Sequence, residues 1–75
     1  MSFAVILFPS THFAIRAEKR VKEKGMAVKL IPVPRHLSSD CGVCLRIPWE
    51  QKEEIRSLLE REGVKIEEIH QLPDK

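Results

Sequence analysis

Seventy-five residues allow one domain and no second core, because a chain of this length buries only about 60% of its unfolded surface. With 43% hydrophobic and 32% charged residues the composition is that of a folding globular protein, and a formal net charge of +2 is too small to imply nucleic acid. The apolar run at residues 3–8 is far below the ~20 residues needed to span a bilayer and lacks the basic flank of a signal peptide, so a cytoplasmic protein with no membrane role is expected.

Phe3, Ala4, Val5, Ile6, Leu7 and Phe8 are apolar on both alternating faces, as in a central strand, and Pro9, Ser10 and Thr11 end that strand with turn and N-cap chemistry. Over residues 11–24 the helical spacing of Phe13, Ala14, Ala17 and Val21 predicts a first helix. Arg16, Lys19, Arg20, Lys22 and Glu23 take its solvent face, and Gly25 supplies a left-handed stop. A second strand follows at residues 27–33. Pro32 and Pro34 place it at a sheet edge, since proline cannot donate to a ladder. After a loop at residues 34–41, Val43, Leu45 and Ile47 alternate with Cys44 and Arg46 in a half-buried third strand. Pro48 is expected to start a second helix carrying Ile55, Leu58 and Leu59 inward, with an Arg56–Glu60 pair outward and Gly63 at its end. The last strand is read at residues 64–72, again an edge. Trp49 is read as a packing residue at the helix start, and Arg46 and His70 as solvated side chains.

The order βαββαβ is that of a single ferredoxin-like α+β domain over residues 1–75: a four-stranded antiparallel sheet with two helices on one face and right-handed crossovers. This topology gathers the end of strand one, the start of helix one, the loop after strand two and the start of strand three at one end of the sheet. Cys41 is thereby expected near Ser10, Thr11 and His12. A helix N-terminus offers N–H groups and about half a positive charge to a thiolate, and His12, Arg35 and His36 add to that field. Gly42 permits close backbone approach beside the sulfur. Asp40 acts the other way unless it caps an N–H or pairs with Arg35.

Cys41-Gly42-Val43-Cys44 is a C-x-x-C motif, but it runs into a strand rather than a helix, unlike the thioredoxin arrangement. Alternation directs the two cysteines to opposite faces unless a bulge at Gly42 rotates one of them, in which case Cys44 is a resolving thiol for a persulfide on Cys41. A second chemical reading is tetrahedral zinc held by His12, His36, Cys41 and Cys44, in an adaptor domain whose cysteines are structural. A third is an interaction domain that dimerises through its uncovered sheet face. Residues 1–37 hold seven Lys/Arg against two Glu and residues 38–75 hold six against nine acids, so one helix is basic and the other acidic. Solvation of both faces is the simpler account of that asymmetry.

Four segments carry a resemblance: Phe8-Pro9-Ser10-Thr11-His12, Ala17-Glu18, Ile31-Pro32-Val33-Pro34-Arg35 and Ser38-Ser39-Asp40-Cys41-Gly42. In this order they resemble the selenium/sulfur carrier protein-like family over nearly the whole chain. The resemblance implies a small bacterial or archaeal cytosolic protein, a carrier rather than a catalyst. It needs no cofactor and exchanges sulfur or selenium with donor and acceptor proteins. It further implies that Cys41 bears the chalcogen with Gly42 beside it and His12 and Arg35 as helpers. Cys44 departs from the family pattern, in which an aliphatic or small residue often stands there.

Overall fold

The structure is a computed structural model that describes residues 2–37 and 42–72. Five apolar residues in sequence form β1 (Phe3–Leu7), followed by α1 (Thr11–Glu23), β2 (Lys29–Pro32), β3 (Val43–Pro48), a 3₁₀ turn (Trp49–Gln51), α2 (Lys52–Arg61) and β4 (Glu68–Gln71). The strands form one four-stranded sheet in the order β2-β3-β1-β4, each neighbouring pair antiparallel. The expected α+β sheet with two helices is therefore present, and the most apolar strand is central.

Period-2 alternation in β1 divides the interior into two layers. Ala4, Ile6 and Phe8 face one way and join Leu45 and Ile47 of β3, Ala14, Ala17 and Val21 of α1, and Ile55, Leu58 and Leu59 of α2 in the main core. Both helices thus cover the same face. Val5 and Leu7 face the other way and meet Cys44, in a smaller cluster edged by Ile31, Val33, Leu37 and Leu72. The face away from the helices is not the bare surface expected from the sequence, since Val5, Leu7 and Cys44 are all fully buried there.

Two element boundaries differ from expectation. Pro48 does not begin the second helix. It ends β3 opposite Phe3, and the 3₁₀ turn precedes Lys52, where α2 starts. Proline's fixed φ suits an extended strand end as well as a first helical turn, and pairing to the central strand decides the choice. Trp49 packs on the main core as expected; its backbone N–H donates to the Ser2 carbonyl at 3.0 Å and the Lys52 ammonium lies 4.3 Å from its ring centroid. At the other boundary, residues 64–67 lie outside β4. Val64 donates to the Leu59 carbonyl at 2.9 Å and Gly63 to that of Glu60 at 3.2 Å, which is a Schellman closure of α2. Val64 and Leu59 are both in the core, supplying the apolar contact that accompanies this motif.

Gly63 has φ +76°, where a side chain is strained, although nothing lies within 4 Å of the place a Cβ would occupy. Gly63→Ala is accordingly expected to cost about 1 kcal/mol through backbone strain alone, read as a lowered urea midpoint with an unchanged m-value.

Candidate functional site

Registers place four chain segments at one end of the sheet. Ile6 stands opposite Leu45 and Leu7 opposite Glu68, so the end of β1, the start of β3 and the start of β4 coincide. Pro32 stands opposite Val43, and the Val33 N–H donates to the Gly42 carbonyl at 3.3 Å, which brings in the end of β2. Phe8 and Pro9 then lead from β1 directly to Ser10 and α1. The juxtaposition predicted for the ends of β1 and β2 and the starts of α1 and β3 is present in the described residues.

Ser10, extended at φ −154°, ψ 161°, is the residue before α1; its carbonyl accepts from Ala14 at 3.3 Å, but its hydroxyl makes no cap hydrogen bond. The first turn of α1 also carries no acidic residue. No carboxylate within the helix start therefore offsets the partial positive charge there. Thr11 and His12 are exposed on this turn, and His12 sets its ring edge against Phe13, with centroids 5.6 Å apart. In the loop after β2, Leu37 donates to the Pro34 carbonyl at 3.0 Å, closing a turn whose two central residues are Arg35 and His36. Both side chains are exposed, and Gly42 is exposed as well. The turn was not anticipated: Pro34 stands at its first position and not at the second, where the fixed φ of proline marks a turn.

The expectations for Cys41, with Ser38, Ser39 and Asp40, fall on residues outside the described ones. Cys44 is described and is fully buried, in the cluster on the sheet face away from α1 and α2. Its Sγ lies 3.9 Å from the Pro32 carbonyl oxygen. The alternation read from the sequence thus holds: Cys44 points opposite to Leu45 and Ile47. With its sulfur enclosed by Val5 and Leu7, Cys44 is expected to resist iodoacetamide in the native protein and to react at the rate of an ordinary thiol in denaturant, as counted by mass spectrometry. For the zinc reading, α1 carries His12 on one side of the sheet and β3 holds Cys44 on the other. Among the described residues no three His, Cys, Asp or Glu side chains form a group able to hold a metal ion.

Two further side chains have closer company than solvation implies. Arg46 places its guanidinium 4.6 Å from the Phe3 ring centroid, a cation–π contact between neighbouring strands. His70 is half-buried and lies 2.6 Å from the Glu68 carboxylate, on the same face of β4 two residues away.

Among the described residues no helix is long and apolar enough to cross a membrane. Compared with known proteins, the chain is matched by one family model over residues 3–71, described as "Putative Se/S carrier protein-like". No curated protein and no solved structure matches the chain significantly.

Proposed function

The chain belongs to the Se/S carrier protein-like family, and from that premise we propose that it carries sulfur or selenium on Cys41, as a persulfide or perselenide, between a donor and an acceptor protein in a prokaryotic cytoplasm. The framework is a ferredoxin-like one, for which the observed order β2-β3-β1-β4 is the supporting fact. The observation that carries the reading is the convergence, at one sheet end, of the α1 start, the Arg35 turn and Gly42, the residue bonded to Cys41.

Loading proceeds by attack of the Cys41 thiolate on the terminal sulfur of a donor persulfide. The new bond joins Cys41 Sγ to that sulfur, the donor's sulfur–sulfur bond breaks, and the donor leaves as a thiolate. Charge and oxidation level balance without a further reactant. Delivery repeats the exchange with the acceptor's nucleophile. Gly42 keeps the backbone beside the sulfur narrow. Ser10, Thr11, His12 and Arg35 supply the donors and positive charge that favour its anion.

Cys44 takes no part in this scheme, because its buried sulfur must first leave the apolar cluster to reach a persulfide. The test is intact-protein mass spectrometry after incubation with a persulfide donor. One added sulfur, removed by dithiothreitol and located at Cys41 by fragmentation, supports the carrier. Sulfur on Cys44, or on no cysteine, refutes it.

A further inference from the structure

Ile15 is the one exposed large hydrophobic side chain among the described residues, at 54% exposure. It lies in a shallow concavity of about 360 Å³ that it lines with His12, Arg16, Lys19 and Arg20. Positions 12, 15, 16 and 19 are spaced i, i+3, i+4 and i+7. They therefore form one continuous stripe down α1, separate from the buried stripe of Ala14, Ala17 and Val21. The stripe begins in the first turn of α1.

Charge pairing divides the cations of α1 into two groups. Of the four cations on α1, Lys22 pairs with Glu18 at 3.3 Å, and Arg20 with Glu23 and with Glu62 beyond α2, both at 3.5 Å. Arg16 and Lys19 make no ion pair among the described residues. On α2, Arg56 bridges Glu53 at 2.8 Å and Glu60 at 3.4 Å, and the hydrogen bond and charge of Arg56 hold the Glu53 carboxyl below its ordinary value, whereas Glu54 and Arg61 make no ion pair among the described residues. What sets the α1 stripe apart is that its two unmatched cations flank an exposed aliphatic side chain.

We propose that the His12–Ile15–Arg16–Lys19 stripe of α1 is a docking surface for the protein that donates the persulfide, and that the complementary surface is an apolar socket for Ile15 rimmed by carboxylates. The identity of the partner as the donor rests on the carrier reading; the chemistry of its surface follows from the stripe itself. An apolar anchor with a charged rim is the anatomy of a specific protein interface, the anchor giving affinity and the rim giving orientation and rate. Nucleic acid is a poorer match, because two unpaired cations neutralise about two phosphates and a phosphate backbone has no place for an isoleucine. Docking along this stripe brings the donor to the N-terminal end of α1, at the sheet end where β3 starts.

The experiment is a titration of the ¹⁵N-labelled chain with the cysteine desulfurase of the same cell, in parallel for wild type, Cys41→Ser, Ile15→Asp and the double variant Arg16→Glu/Lys19→Glu. Shift changes concentrated at residues 12, 15, 16 and 19, present also in Cys41→Ser, are the expected result. So is a dissociation constant raised about tenfold or more in each surface variant. The altered side chains are exposed, so dispersed spectra should be retained; should Ile15→Asp misfold, the double variant decides. Absence of binding, shifts mapping to another face, or variants that bind like wild type overturn the proposal. So does transfer RNA shifting the same residues at lower concentration than the protein. Loading of Cys41 by a small persulfide such as glutathione persulfide is measured separately. If it fails while docking persists, only the carrier reading falls; if it persists while docking fails, only the docking surface falls.

Discussion

Cys41→Ser is expected to take up no sulfane sulfur from a persulfide donor, whereas Cys44→Ala should load to nearly the wild-type level. A serine hydroxyl is essentially un-ionised at neutral pH and forms no stable oxygen–sulfur carrier bond, so the loss is complete rather than graded. The surrounding groups act differently. Lowering a thiol pKa from about 8.5 to about 6.5 raises its thiolate fraction at pH 7 about 25-fold but reduces its intrinsic nucleophilicity about 8-fold, leaving a net gain of about threefold. His12→Ala and Arg35→Ala are therefore expected to slow loading only a few-fold each, and most visibly below pH 7, where the thiolate is scarce. The check is the rate of added sulfur by mass spectrometry across pH 5.5–8.5, a range set by the ordinary thiol value. Loading of Cys41→Ser equal to wild type defeats the scheme, and complete loss in His12→Ala gives that residue a direct role in transfer.

The second large effect is structural. Phe8 is fully buried in the main core, at the point where β1 hands over to the turn before α1. Phe8→Ala removes a large apolar side chain and leaves a cavity, at an expected cost of about 3–5 kcal/mol. A domain of 75 residues has about 4–11 kcal/mol in total, so the variant should be close to half unfolded at mild denaturant concentrations or unable to accumulate. Phe8→Leu should cost under about 1.5 kcal/mol, because much of the volume is retained. Urea titrations followed by Trp49 fluorescence measure both. A Phe8→Ala midpoint within error of wild type would show that this corner of the core repacks freely.

The architecture was legible because the hydrophobic pattern is unambiguous where it matters. β1 is apolar on both faces, and the observed two-layer interior is the direct result. The periodicity of α1 and the edge position of a proline-bearing β2 followed equally well. The misplaced boundaries have two causes, strand pairing at Pro48 and helix closure at Val64. Pro48 suits either a strand end or a helix start, and Phe3 opposite it selects the strand. Val64 is a good strand former, but it completes the closure of α2 instead. In the site, the position of the α1 start and the Val33–Gly42 contact at the same end of the sheet could be deduced from topology. The pairing of charges was legible only in part: Arg20 has Glu23 at i+3 and Arg16 has no acid at i+3 or i+4, but the reach of Glu62 to Arg20 is a tertiary contact that spacing does not show. Ile15 was passed over for a similar reason: it lies off the buried stripe, and only exposure distinguishes it from an ordinary helical isoleucine.

Pro32 has a consequence for how this molecule behaves in a crowded cell. Val33 donates inward to Gly42, so strand alternation turns the nitrogen of Pro32 outward, on the rim of the sheet. A ring nitrogen there gives an incoming β-segment no proton to accept, and this disfavours edge-to-edge pairing of identical copies along that rim. Pairing of a further strand along β2 thereby lacks one of its ladder hydrogen bonds.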